Sequence, residues 1–186
     1  VNPPAERLNL WKDEEALRQA CFQWRSLAER YRDIDGDRLS FNLINEPKQM
    51  PVAVYERVIR ALAAAVRQVD PDRLIFVDGL PWGSRPVPGL GDLGVVMSTR
   101  GYAPMRLTHY KAFWIRGAMS WPEPTWPLEY DGKRIDKQTL YRTRILPFVR
   151  QQHRCVGVQV GEFGAYRYTP HEVVLAWMKD CLDLWK

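Results

Sequence analysis

The chain has 186 residues; 46% are hydrophobic, 26% charged and 12% aromatic, and the net charge is +5. That apolar share supports a packed core and excludes a disordered chain, while no apolar run approaches the roughly 18 residues of a membrane span. Opposite charges are interleaved without a Lys/Arg block, so the basic excess gives little support to a nucleic-acid partner.

No signal peptide is read at the opening; the stretch from Val1 through Ala16 reads as the interior of a longer protein. Residues 12–33 predict a helix, with Leu17, Cys21, Trp24 and Ala28 on one apolar face. Asp35-Gly36-Asp37 breaks the chain, and residues 38–44 form a short apolar run of strand formers that ends at Asn45-Glu46-Pro47. A second helix is predicted over residues 51–69, with Pro51 in its first turn and Val54, Val58, Leu62, Ala65 and Val69 as its stripe. Residues 73–77 predict a strand, followed by a Pro/Gly-rich loop through Gly91, and residues 94–98 predict another. Residues 100–134 show little regular pattern and read as a long loop. A helix over residues 136–152 (Leu140, Ile145 and Phe148 inward), a strand over 156–160 and a closing helix over 170–185 (Val174, Trp177, Cys181, Leu184) complete the order. Strands alternating with helices, and strands apolar on both faces, predict an α/β fold with a parallel sheet of right-handed crossovers. No linker or fixed-length repeat divides the chain, so it reads as one domain or part of one over residues 1–186. The three cysteines (Cys21, Cys155, Cys181) form no CxxC and sit in apolar contexts, as small core residues do.

Two carboxylates occupy the same kind of place. Glu46 follows the first strand and Glu162 follows the fourth. In a (β/α)8 barrel the carboxyl ends of the strands carry the active site, and two glutamates there would face one pocket. A carboxylate pair flanking a bond is the machinery of glycoside hydrolysis: one protonates the leaving oxygen, the other attacks the anomeric carbon. Taken singly, Asn-Glu-Pro also reads as a strand-ending turn, and Gly-Glu-Phe-Gly as a glycine-flanked turn.

The motifs resemble a known family. Residues 41–47 (FNLINEP) resemble the fourth-strand acid/base motif of glycoside hydrolase family 5, and residues 160–164 (VGEFG) its seventh-strand nucleophile motif. Between them, residues 75–82 (IFVDGLPW) resemble the fifth strand and its loop, and residues 98–104 (STRGYAP) with Leu107-Thr-His109 resemble the sixth-strand segment that supplies a tyrosine. The resemblance implies a (β/α)8 barrel fragment carrying strands four to seven, without the first three strands or the eighth. A complete barrel of this type takes about 250 residues.

The resemblance also implies roles. Glu46 is the expected acid/base and Glu162 the expected nucleophile, with Asn45 on the sugar 2-hydroxyl and the Tyr102 hydroxyl on Glu162. Trp82 and the loop tryptophans Trp114, Trp121 and Trp126 are candidates for stacking on pyranose faces, core or loop anchoring being the other reading. The family usually carries a histidine where this chain has Arg100, which places a fixed positive charge beside the nucleophile. His109 reads as a structural loop residue, and His153 and His171 as helix-end residues; no metal or other cofactor is expected. The implied activity is a retaining β-glycosidase on a polysaccharide, β-1,4-glucan first. The alternatives are a mannanase or exo-β-glycosidase of the same barrel clan, and a carbohydrate-binding pseudoenzyme or inactive fragment. The expected partner is a polysaccharide or oligosaccharide, with no nucleic acid or membrane, and the complete protein is expected to be a monomer. A polysaccharide substrate implies a secreted or periplasmic location.

Overall fold

The computed structural model describes residues 8–186; the first part of the opening stretch, read above as the interior of a longer protein, lies outside the described residues. Two compact units are present. One comprises the chain up to Ser98 together with Gln151–Gly157, the other Thr99–Arg150 together with Val158–Lys186.

In the first unit, helix α1 (Glu14–Tyr31) packs on helix α2 (Val52–Arg67). Of the predicted α1 stripe, Leu17 and Ala28 are buried, while Cys21 and Trp24 are half-buried. The α2 face is broader than its predicted stripe: Tyr55, Ile59, Ala63 and Val66 join Val58, Leu62 and Ala65 in the core. A helix buried on that much of its circumference suits the cover of a parallel sheet. Strand β1 (Phe41–Asn42) pairs in parallel with β2 (Ile75–Asp78), Phe41 opposite Ile75, and β2 pairs in parallel with the first half of β3 (Val96–Gly101), Asp78 opposite Ser98. The regular part of β1 is shorter than the predicted 38–44. Its ladder begins with the Phe41 N–H on Leu74 O and ends with the Leu43 N–H on Phe76 O, and the backbone then turns out of the sheet.

A buried arginine fastens this unit. The Arg73 guanidinium, only 1% exposed, pairs with Asp70 at 2.7 Å and donates to the carbonyls of Tyr31, Ile34 and Leu39. It therefore ties the α1–β1 connection to the start of β2. Its charge is tolerated there because every partner is an acceptor.

In the second unit, β3 runs on to Gly101 and β6 (Gly157–Phe163) is its neighbour in the sheet order β1-β2-β3-β6. A Cβ on Gly101 would fall 2.6 Å from the Trp185 ring and 2.8 Å from Phe163 Cβ, so only glycine fits. The stretch predicted as a patternless loop holds a short helix α3 (Met105–Thr108) and an antiparallel hairpin, β4 (Leu128–Tyr130) with β5 (Lys133–Ile135). Asp131 and Gly132 at its tip both have positive φ, 53° and 67°, the geometry that an Asp-Gly two-residue hairpin turn demands. These strands are short and mostly solvent-facing, so no period-2 apolar pattern announces them.

The predicted helix 136–152 is three segments: α4 (Lys137–Leu140), a π-helical stretch (Tyr141–Ile145) and α5 (Leu146–Val149). Pro147 explains the break in regularity, because it brings no N–H to the ladder and its ring crowds the preceding turn. Helix α6 (His171–Trp185) buries Trp177 and Cys181 against Leu107 and Leu140. The Trp177 indole N–H donates to Ala103 O at 2.9 Å. All three cysteines are free; Cys181 is core, and Cys21 and Cys155 are half-buried. Among the described residues, no helix is long and apolar enough to cross a membrane.

Candidate active site

In the second unit, β3 and β6 present the chemistry. Arg100 is buried near the end of β3, Tyr102 follows it, and Glu162 lies within β6, which extends past the predicted end at residue 160. Side chains alternate faces along a strand, so Arg100 and Tyr102 project to the same side. Both reach Glu162. The Tyr102 hydroxyl donates to Oε2 at 3.0 Å, and Arg100 Nη2 stands 3.3 Å from Oε1. One donor on each oxygen fixes the plane of the carboxylate. The Arg100 side chain is 4% exposed while that of Glu162 is 40% exposed. The carboxylate therefore has a wet side, where a ligand can approach, and an inner side held by a buried cation.

Tyr102 is itself held in place. The Thr108 hydroxyl donates to the Tyr102 carbonyl at 2.6 Å and lies 2.9 Å from His109 Nδ1. The His109 ring meets Tyr102 edge-on, 5.7 Å between centroids. Burial pushes the His109 pKa below the usual imidazole value, since charging the ring would cost hydration. Its contacts are those of the structural loop residue expected from sequence.

The three loop tryptophans have different surroundings. Trp114 is 52% exposed and packs edge-on against Tyr166 at 4.7 Å and against Phe113 at 4.9 Å. Tyr166 in turn meets Tyr168, so a run of rings leads from Tyr102 through His109 and Trp114 to Tyr168. Tyr166 and Tyr168 were not singled out from sequence, since no motif marks them. Trp121 lies under the Arg106 guanidinium, which also covers the Tyr130 ring. Trp126 packs against the Leu107–Leu140–Trp177–Cys181 cluster and donates its indole N–H to Asp180 at 2.9 Å. Trp126 thus has the loop-anchoring surroundings that were its other reading.

In the first unit, the Asn45-Glu46-Pro47 turn follows β1. Asn45 is exposed and Glu46 half-buried. Glu46 has φ +44°, a left-handed conformation uncommon for any residue but glycine and costing about 1 kcal/mol or more. Its N–H donates to Asp78 Oδ2 at 2.7 Å, and the Asn42 side-chain amide donates to Asp78 Oδ1 at 3.2 Å. Asp78, fully buried at the end of β2, also receives the Tyr55 hydroxyl on its backbone carbonyl at 2.7 Å. The loop after β2 adds a second tie, the Trp82 N–H to Pro47 O at 2.8 Å, with Trp82 at φ +48° and its ring 52% exposed. The fold therefore presents one carboxylate in each unit on a braced backbone: Glu46 on a turn fixed from below, Glu162 on a strand fixed by two donors.

Comparison with known proteins gives the family and the fold. The cellulase family, glycosyl hydrolase family 5, matches residues 9–109. A crystal structure of a glycoside hydrolase superposes with a TM-score of 0.91 at 40% identity, covering 97% of this chain and 56% of that one. Endoglucanase Cel5A from Thermotoga maritima superposes with a TM-score of 0.77 at 22% identity, covering 96% of this chain and 58% of that one. Endoglucanase C of Acetivibrio thermocellus is 22% identical over 94% of this chain and 58% of its own length. This chain thus spans under two thirds of the length of the relatives it matches. Its consecutive strand–helix units are part of a (β/α)8 barrel.

Proposed function

This chain belongs to the cellulase family, glycosyl hydrolase family 5, and on that premise we propose that the protein it represents is a retaining glycoside hydrolase cleaving β-glycosidic bonds of a polysaccharide. Glu162 is the nucleophile: its carboxylate attacks the anomeric carbon, the bond to the leaving oxygen breaks, and a glycosyl-enzyme ester forms. Glu46, protonated at the start, gives its proton to that oxygen. It then takes a proton from the water that hydrolyses the ester, which restores both carboxyl groups. Asn45 hydrogen-bonds the sugar 2-hydroxyl beside the reacting carbon.

The observation that carries this reading is the pair of donors on Glu162. A nucleophile must be aimed, and Tyr102 and Arg100 hold Glu162 from opposite oxygens. Arg100 takes the position of the family's usual histidine and supplies a permanent charge where that residue titrates. Exposed Trp82 and Trp114 are the stacking surfaces for pyranose rings. β-1,4-Glucan is the first substrate, in keeping with the endoglucanase relatives. Mannan is the second, since Cel5A has been solved both with cellobiose and with mannotriose. A polymer of that size is met outside the cytoplasm.

Leaving-group dependence in the full-length protein tests the assignment. Glu162→Gln is expected to abolish turnover of every substrate. Glu46→Ala is expected to hurt unactivated glucans most and activated aryl glycosides least, because a good leaving group needs little protonation. Azide is expected to rescue Glu46→Ala and to give a β-glycosyl azide, by attack on the glycosyl-enzyme. Equal, unrescued losses in both variants across all leaving groups would overturn these roles.

A further inference from the structure

A carboxylate at the end of a buried parallel strand needs a reason. Aspartate is depleted in strands, and burying one costs free energy unless donors surround it. Asp78 ends β2 with none of its surface exposed, in a strand otherwise made of Ile75, Phe76 and Val77. What the carboxylate adds is a pair of acceptors: Oδ2 for the Glu46 N–H at 2.7 Å and Oδ1 for the Asn42 amide at 3.2 Å.

The bond to Glu46 falls at the residue whose backbone is left-handed, φ +44°. A non-glycine residue keeps that conformation only where its surroundings over-determine it. The φ and ψ of residue 46 set where its Cβ points, and so where its carboxyl group goes. Asp78 is in turn held by β2, whose register with β3 places Asp78 opposite Ser98, and by the Tyr55 hydroxyl on its carbonyl. A rigid strand end therefore grips the N–H of a strained turn from below.

We propose that Asp78 is a positioning residue for the acid/base, holding the Glu46 backbone in the left-handed turn that aims its carboxyl group at the glycosidic oxygen. The inference rests on the reading of Glu46 as the acid/base. Asp78 touches no substrate; it acts through Glu46, and it also accepts from the Asn42 amide. General acid catalysis demands hydrogen-bond reach of the leaving oxygen, and a displacement of about 1 Å is enough to lose about a hundredfold in rate. Relaxation of the turn is therefore felt in proton donation, not in nucleophilic attack.

The experiment is a double-mutant cycle in the full-length protein, read as kcat/KM on an unactivated β-glucan oligosaccharide and on a dinitrophenyl β-glycoside. Asp78→Ala is expected to lower the first by about 10–100-fold and the second by less than about threefold. Asp78→Asn keeps the shape but has one acceptor in place of two, and is expected to show the same split at smaller size. It carries the test alone if Asp78→Ala does not fold. Adding Asp78→Asn to Glu46→Gln is expected to cost almost nothing further, because the residue to be aimed no longer donates. Equal losses on both substrates, or full additivity with Glu46→Gln, would make Asp78 merely structural and overturn the proposal. If Glu46→Gln itself shows no leaving-group split, it is the acid/base assignment of Glu46 that fails, a result separable from the first.

Discussion

Tyr102 and Arg100 hold Glu162 by different physics, and their removal separates the two. Tyr102 offers a neutral hydroxyl at 3.0 Å; losing one hydrogen bond to a charged group is worth about 1.5–3 kcal/mol, so Tyr102→Phe is expected to lower kcat by about 10–100-fold. KM should change little, since on the proposed roles the bond orients the nucleophile and not the sugar, and steady-state kinetics on a glucan substrate checks the split. Arg100 is a buried cation whose desolvation offsets much of its attraction to Glu162. Arg100→Met is expected to depress kcat at least as far as Tyr102→Phe with little change in melting temperature, because the Glu162 side chain is 40% exposed and water can solvate the oxygen left behind. A parallel fall in both quantities would show that the arginine holds up the fold and not the carboxylate. The proposed roles of the glutamates, Asn45 and Tyr102 come from short contiguous motifs at strand ends, which a sequence displays directly. Asp78 and Tyr166 were not legible in this way, although Asp78 lies inside a recognised motif. Their partners Glu46 and Trp114 are 32 and 52 positions away (78 − 46 and 166 − 114), and no local pattern encodes such a contact.

Among the elements, the long helices and the strands were legible because burial of one face imposes a period that the residues record. The stripes of α1, α2 and α6 fall on the side that is buried. What escaped were elements defined by backbone geometry. The β4–β5 hairpin rests on a two-residue Asp-Gly turn between short, exposed strands, and the π-helical stretch before Pro147 satisfies a local steric need. The Arg73 clamp is of the same kind, since it joins β2 to three carbonyls of the α1–β1 connection that lie 34 to 42 positions away. Arg73→Met keeps the apolar stem but strands Asp70 and those carbonyls in a buried place. Breaking a buried pair in this way costs about 3–5 kcal/mol, a large share of the roughly 5–15 kcal/mol that holds a domain together. Chemical denaturation is expected to show an unfolding free energy in water lowered by that amount, seen as a lower midpoint with an unchanged slope. A loss under about 1 kcal/mol would mean that water reaches those carbonyls.

Across the whole molecule, stability is bounded on both sides of neutrality by groups buried in their uncharged forms. On the acid side, burial holds His109 below the ordinary imidazole pKa, so the unfolded chain binds the extra proton first. Stability from this group is complete above the unfolded value of about 6.5 and is lost as pH falls below it. On the alkaline side, burial and the neighbouring Asp180 push the Cys181 thiol up to about 12 from an ordinary 9.0. A raised acid works in the opposite sense: its contribution is whole below the unfolded value and drains away as pH climbs from 9 towards 12, because the unfolded chain releases that proton first. Melting temperature is therefore expected to fall on moving from pH 7 to 5.5, and again from pH 9 to 10.5. His109→Gln should flatten the first slope and Cys181→Ala the second. Each comparison is read as a slope with pH, since both variants also change packing and so shift the whole curve. The thiol supplies an independent check. A side chain 3% exposed with so high a pKa offers almost no thiolate at pH 8, so alkylation of Cys181 should wait for unfolding while the half-buried Cys21 and Cys155 react sooner. Modification of all three at one rate in the native protein would show that helix α6 opens readily, and the alkaline slope would then have to come from another group.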